Sequence, residues 1–368
     1  MKLSIVILSY NVRYYLELCL QSVQAATKDI SSEIIVIDNN SGDDSCSMVK
    51  LNYPEIILIQ NKDNIGFSKA NNQAVKIARG EYICILNPDT VVSENTFKKI
   101  LNFSDSKNDV GIIGCKFIDG SGTFLAESKR KVPTIKSAIQ KLLGFGYSYY
   151  ETEISENQIA KVSVLSGAFM LMKNNFFRDL GGFDENFFMY GEDIDLSFRA
   201  LKMNKTNYYY GEETIIHFKG ESTKKNKIYY KHFFSAMQIF YNKHYNENLI
   251  IKLVFWFTLK LATNILPFFN YNQFSKKSIN REIVFLKPRH ESLKLLEKKY
   301  RIINSIKLIQ SNNLCDLVFD ASTISFTKII KIISEFKSKK LTFKIWPKNT
   351  NFIVGSDNNN KMGEVVNV

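Results

Sequence analysis

The chain has 368 residues, 45% apolar and 23% charged, enough for a large core and more than one domain; 13% aromatic content excludes a disordered chain. Its five cysteines (Cys19, Cys46, Cys84, Cys115, Cys315) are widely spaced with no CxxC, against a disulfide scaffold or structural zinc and for a reducing compartment. The net charge of +13 is uneven, with residues 1–215 summing to −3, 216–310 to +13 and 311–368 to +3, and only 8 of the 49 basic residues are Arg. Base-edge readout favours Arg forks, so the excess is an address for one segment and no sign of sequence-specific nucleic-acid binding.

Met1 to Ser4 runs straight into a strand-like segment, which argues against a signal peptide. Leu3 to Leu8 reads as a buried strand, Tyr14 to Ala25 as a helix, and Glu33 to Asp38 as a second strand. Glu55 to Gln60 is a third strand, Phe67 to Ala78 a helix, and Tyr82 to Leu86 a fourth strand. Strands alternating with helices predict βαβ crossovers and a mostly parallel sheet, whose ligands bind beyond the carboxyl ends of the strands. The polar clusters fall at that edge: Ser9-Tyr10-Asn11, Asp38-Asn39-Asn40-Ser41, Asn61 to Gly66, and Asn87-Pro88-Asp89-Thr90.

Farther on, Val162 to Met172 is an apolar block containing Gly167, and Gly181-Gly182-Phe183-Asp184-Glu185 leads to Tyr190-Gly191-Glu192-Asp193-Ile194-Asp195. Acidic residues at a helix start favour its dipole, so Glu192 is expected to open a helix. Leu249 to Phe269 is strongly apolar yet holds Lys252, Lys260, Asn264 and Pro267. That composition reads as an interfacial helix on an anionic membrane surface, the alternative being a helix packed on the first domain. The tail, with strands near 315–320, 341–345 and 351–354 and a helix near 325–336, reads as a small βαββ piece with a frayed last dozen residues.

Taken together, Ser9-Tyr10-Asn11, Val36 to Ser41, Asn64-Ile65-Gly66-Phe67 with Asn71, and Leu86 to Asp89 resemble the inverting family 2 glycosyltransferases with the GT-A fold. Gly181 to Glu185, Glu192 to Asp195 and His217 to Gly220 extend the similarity to about residue 225, nearest the rhamnosyltransferase-like branch. The resemblance implies a Rossmann-like catalytic domain over 1–225, here followed by a basic helical, membrane-associating segment over 226–310 and a small α/β piece over 311–368.

It also implies roles for the residues. Ser9, Tyr10, Asn11, Asp38, Asn64, Gly66, Asn71, Asn87 and Asp89 would form the donor side. Asp38 can accept from a pyrimidine imide N–H, or cap its own turn, as Asp-Asn-Asn-Ser favours. Gly66 would let the backbone come close to the nucleotide. A diphosphate leaving group needs charge neutralisation, so Asp89 and His217 are the expected ligands of Mn²⁺ or Mg²⁺. The family's usual Asp-x-Asp is here Asn87-Pro88-Asp89. Asp193 holds the base position, with Glu192 as its fallback; like-charge neighbours raise a carboxyl's basicity. Gly182, Phe183, Asp184 and Glu185 would face the acceptor, and Glu127 to Tyr150 is the place for acceptor selectivity or a lid.

The activity implied is transfer of a hexose or deoxyhexose, such as rhamnose, from a dTDP- or UDP-sugar to a lipid-linked glycan in cell-surface polysaccharide synthesis. The enzyme would work in the cytoplasm, peripheral on the inner face of the membrane. The competing reading is a catalytically silent nucleotide-sugar or carbohydrate-binding module, which Asn87 favours.

Overall fold

The computed structural model describes residues 1–134, 149–219, 227–245, 256, 281–289, 296, 299–306, 314–336, 341–356 and 363–368. The four apolar runs at the start become β1 (Leu3–Ser9), β2 (Ser32–Asp38), β3 (Ile57–Gln60) and β4 (Tyr82–Leu86), parallel in the order β3-β2-β1-β4. The connecting helices are α1 (Arg13–Thr27), α2 (Ser45–Asn52), α3 (Phe67–Ile77) and, after β4, α4 (Thr96–Asp105). Side-chain alternation along β1 sends Leu3, Ile5 and Ile7 into the cluster that holds Leu16 and Leu20 of α1. Val6 points the other way, among Ala70 and Ala74 of α3. Each fully buried aliphatic side chain contributes about 1.5–3 kcal/mol, which fixes both layers on the sheet.

Register then builds the loop edge. Ser9 lies opposite Asp38, Asp38 opposite Gln60, and Ile7 opposite Leu86. The four polar loops therefore leave one side of the sheet together, as expected.

The remaining strands are β5 (Thr90–Val91), β6 (Val110–Ile118), β7 (Ile159–Val162), β8 (Phe169–Lys173) and β9 (Thr206–His217). They continue the sheet as β4-β8-β6-β9-β5, with β7 also on β9. Because β8 runs antiparallel to β4 and β6, the sheet is mixed beyond its parallel half. The apolar block over 162–172 is not one element: it breaks between β7 and β8, at the turn holding Gly167. Helices α5 (Asn174–Asp179), α6 (Glu192–Lys202) and α7 (Lys227–His244) complete this half.

A second sheet contains β10 (Glu282–Leu286), β11 (Arg301–Ile303), β12 (Cys315–Asp320), β13 (Leu341–Trp346), β14 (Phe352–Gly355) and β15 (Glu364–Asn367) in the order β11-β10-β12-β13-β14-β15. Helix α8 (Phe326–Glu335) joins β12 to β13, its first turn capped by the Ser325 hydroxyl oxygen accepting from the Lys328 N–H. This is larger than a βαββ piece. Its strands β10 and β11 fall inside the stretch expected to be helical. Of the last dozen residues, expected to fray, 357–362 lie outside the described residues, while Glu364–Asn367 are held as β15 on β14, from Phe352↔Asn367 to Gly355↔Glu364.

The two sheets share apolar packing: Leu18, Val91, Ile216 and Phe218 sit in one cluster with Leu317, Ile329 and Val354. Backbone fit is close as well, since a Cβ on Gly122 would lie 2.2 Å from the Ile333 carbonyl oxygen. Across the junction the Glu94 carboxylate accepts from the N–H groups of Phe326 and Thr327, both at 2.7 Å, at the N-terminus of α8. Of the apolar stretch 249–269 only Trp256 is described; the rest lies outside the described residues. Among the described residues no helix is long and apolar enough to cross a membrane.

Candidate active site

Of the residues expected on the donor side, Asp38 is buried, and Ser41 occupies both its carboxylate oxygens, by its N–H at 2.8 Å and its hydroxyl at 2.6 Å. It caps its own turn, and an imide N–H would have to use the lone pairs left over. Asn11 closes the same turn from β1, donating its N–H to Ser41 Oγ and accepting the Gly42 N–H on Oδ1. Ser9 Oγ is buried without a hydrogen-bond partner among the described residues, and Tyr10 beside it is half-buried.

Asn39 ties the second and third loops together, donating to Asn64 Oδ1 and to the Gly66 carbonyl. Gly66 has φ +85°, and a Cβ there would sit 2.5 Å from the Phe188 carbonyl oxygen. Glycine is thus required by the approach of the 181–190 loop, whose Phe188 carbonyl accepts the Phe67 N–H at 2.7 Å. Asn71 donates back to the Phe67 carbonyl and leaves Oδ1 buried and unpaired among the described residues.

The short ladder between β5 and β9 pairs Thr90 with His217 and so carries Asp89 against the imidazole. Asp89 Oδ1 lies 3.4 Å from His217 Nε2, and Asn87 Nδ2 is also 3.4 Å from that nitrogen. Both Asp89 and His217 are buried, and His217 Nδ1 has no hydrogen-bond partner among the described residues. One carboxylate and one imidazole suit a divalent cation of the Mn²⁺ type. No group of three or more His, Cys, Asp or Glu that could hold a metal occurs among the described residues. Diphosphate oxygens and water would have to supply the rest of a coordination shell.

The acidic helix start separates its three carboxylates sharply. Asp193 Oδ2 receives Arg130 Nη2 at 2.5 Å and the Gly167 N–H at 3.0 Å. Asp195 is fully buried and paired with Arg199, Lys243 and His244. Glu192 is buried too, yet its Oε2 has no hydrogen-bond partner among the described residues. Burial, with the Asp193 charge beside it, pushes the Glu192 carboxyl up to about 8. Residues 167–168 join the two halves of the site, because Gly167 donates to Asp193 while the next carbonyl, Ala168, accepts the Asn87 N–H at 3.0 Å.

Of the residues expected on the acceptor side, Phe183 is a core residue, 1% exposed and packed edge-on against Phe67 and Phe177, so it has no free face for a sugar. Gly182 (φ +71°) turns the chain where a Cβ would meet Asn72 Oδ1 at 2.7 Å. Asp184 pairs with Lys243 at 2.6 Å and Glu185 accepts from Asn72.

Two residues here carry no sequence motif. Asn72, next to the expected Asn71, both accepts the Phe183 N–H and donates to its carbonyl, fastening the acceptor-side loop. Arg130 reaches Asp193 because its backbone bridges Val164, just ahead of Gly167. A lone Arg in a Lys-rich stretch gives no signal of that meeting.

A family-wide sequence profile described as Glycosyl transferase family 2 matches residues 4–181. N-acetylglucosaminyl-diphospho-decaprenol L-rhamnosyltransferase of Mycobacterium tuberculosis is 26% identical over 241 residues, which is 61% of this chain and 78% of that protein. Rhamnosyltransferase WbbL of Escherichia coli is 28% identical over 226 residues, covering 58% of this chain and 82% of WbbL. The crystal structure of GalNAc-T7 with UDP, GalNAc and Mn²⁺ matches the fold with a TM-score of 0.50 at 15% identity, over 72% of this chain and 55% of that one. Motif order, sheet topology and these similarities agree: the chain carries a glycosyl transferase family 2 domain over residues 4–181, on a mixed α/β fold of the GT-A type.

Proposed function

We propose that the protein transfers a hexose or deoxyhexose, with inversion, from a dTDP- or UDP-sugar to a lipid-linked glycan at the inner face of the cytoplasmic membrane. The observation that carries this reading is the two-residue link at 167–168, which sets Asp193 beside the Asn87–Asp89 loop and its partner His217. Inversion needs one in-line displacement, in which the acceptor hydroxyl loses its proton as the new bond forms. Asp193 is the base in this reading: the Arg130 guanidinium and the Gly167 N–H both occupy Oδ2, and among the described residues Oδ1 accepts only the adjacent Ile194 N–H. Glu192 is the second candidate, but burial keeps it protonated over much of the neutral range.

Asp89 and His217 would hold a divalent cation, whose chemistry is neutralisation of the charge that builds on the departing diphosphate. The loops at Ser9 to Asn11, Asp38 and Asn64 to Asn71 would seat the nucleotide. Two relatives that are rhamnosyltransferases, one named for a decaprenyl-diphosphate acceptor, support a deoxyhexose and a lipid-linked substrate. The basic composition of 216–310 supports an anionic membrane surface nearby.

The test is release of UDP or dTDP from a panel of sugar nucleotides by the purified protein with Mn²⁺ and a polyprenyl-linked acceptor. Asp193→Asn should lower turnover by about 10²–10⁴-fold, the usual contribution of a general base, with nucleotide binding retained. Near-full activity of that variant would remove Asp193 from the role. Binding of sugar nucleotides with no transfer from any of them would favour the silent binding module instead.

A further inference from the structure

We propose that α7, which lies beyond the matched family domain, is part of the catalytic apparatus, and that Lys243 and His244 are positioning residues that set Asp193 through Asp195. This rests on Asp193 being the base. Asp195 lies in the first turn of α6, two residues after Asp193, and is 0% exposed. A buried carboxylate demands compensation, and here it comes from two helices. His244 Nε2 stands 2.6 Å and Lys243 Nζ 2.9 Å from Oδ1, while Arg199 Nε is 2.7 Å from Oδ2. Burial alone would raise this carboxyl; the His244 hydrogen bond and the Arg199 charge outweigh it and hold it down at about 2.

The network also assigns the imidazole. Lys202 Nζ lies 3.2 Å from His244 Nδ1, and an ammonium can only donate. Nδ1 therefore accepts, and Nε2 carries the hydrogen that points at Asp195.

The same contacts reach the acceptor side. Lys243 bridges Asp195 to Asp184, and Arg199 donates to the Leu180 and Gly182 carbonyls. Farther up α7, Ala236 packs where a Cβ on Gly191 (φ +81°) would come within 3.3 Å, at the residue just before Glu192. The Tyr245 hydroxyl, just past the helix, donates to the Pro133 carbonyl, three residues from Arg130. So α7 backs both partners of the Arg130–Asp193 pair. Among the described residues, Asp38, Asn64 and Asn87 make no hydrogen bond to α7, which stacks His232 on Phe188 of the loop that packs against Gly66.

This division predicts a split in kinetics. Lys243→Met removes one cation. His244→Phe keeps a ring between Phe198 and Phe240 but removes the donor. Each should lower kcat roughly tenfold or more, because small misplacements of a base are expensive, while donor KM and binding of UDP or dTDP with Mn²⁺ move less than about threefold. Turnover is counted per nucleotide-binding molecule, so unfolded protein does not enter. His244→Gln, whose amide can still donate to Asp195, and Lys243→Arg should recover most of the lost kcat. Unchanged kcat in both disruptive variants, or donor affinity falling in step with kcat, would overturn the proposal. Its failure is separable from failure of the base assignment. Inactive Asp193→Asn beside fully active Lys243→Met and His244→Phe sinks the positioning role alone; active Asp193→Asn sinks the base.

Discussion

The loop edge of the first sheet and the body of the second treat buried polar groups in opposite ways. At the loop edge, Ser9 Oγ, Asn71 Oδ1, Glu192 Oε2 and His217 Nδ1 are buried with no hydrogen-bond partner among the described residues. In the second sheet, no described buried side chain is left so: Asp320 is clasped by Arg289, and Asp316 by Lys344 and Thr342. An unmade buried hydrogen bond costs about 1–3 kcal/mol, so a fold tolerates several together where something else completes them. The first region leaves polar atoms that a ligand would complete; the second, among the described residues, does not.

Substitutions can break that contrast. The largest effect is expected from Arg130→Met, which strands the Asp193 carboxylate in a buried site. Loss of one partner of a buried pair costs about 3–5 kcal/mol, visible in thermal denaturation, and turnover should collapse with it. Asp320→Ala strands Arg289 in the second sheet and should cost a similar or slightly smaller amount, about 3 kcal/mol, yet leave turnover per folded molecule unchanged. A fall in kcat with Asp320→Ala would erase the distinction between the regions.

Glu192 gives a pH signature. Its carboxyl is raised from 4.5 to about 8, so the folded state holds a proton that the unfolded chain has lost. Stability from this group is complete below pH 4.5, falls as pH rises toward 8, and is flat above, with a slope of at most about 1.4 kcal/mol per unit. Glu192→Gln should flatten that fall in denaturant titrations taken from pH 5 to 8. The smallest change is Gly66→Ala, where the left-handed backbone and the Phe188 carbonyl add about 1–3 kcal/mol of strain. It should weaken nucleotide binding more than it weakens Asp193 chemistry.

Much of the loop edge was legible because its signals are local. Apolar runs ending in Ser9, Asp38, Gln60 and Leu86 announce strands, and parallel pairing then puts their loops side by side. The acidic opening of α6 was equally plain from Glu192, Asp193 and Asp195. What could not be read depends on contacts between distant segments. Arg130 meets Asp193 only through its bridge to Val164, and Lys243 meets Asp195 from a separate helix. Phe183 is expected to face the acceptor but is a core residue, because an aromatic after two glycines carries no sign of which way it faces. The strands at Glu282–Leu286 and Arg301–Ile303 are too short to announce themselves within a basic, helix-like stretch.

The shared wall between the two sheets has a practical consequence for handling the protein. Cutting the chain after residue 225, the expected end of the first domain, would strip the cover from Leu18, Val91, Ile216 and Phe218 together and leave Glu94 facing water instead of a helix end. A fresh apolar patch of that kind drives self-association. The catalytic half should therefore precipitate or oligomerise when produced alone, and stay in solution only if those four positions are made polar or the second sheet is kept.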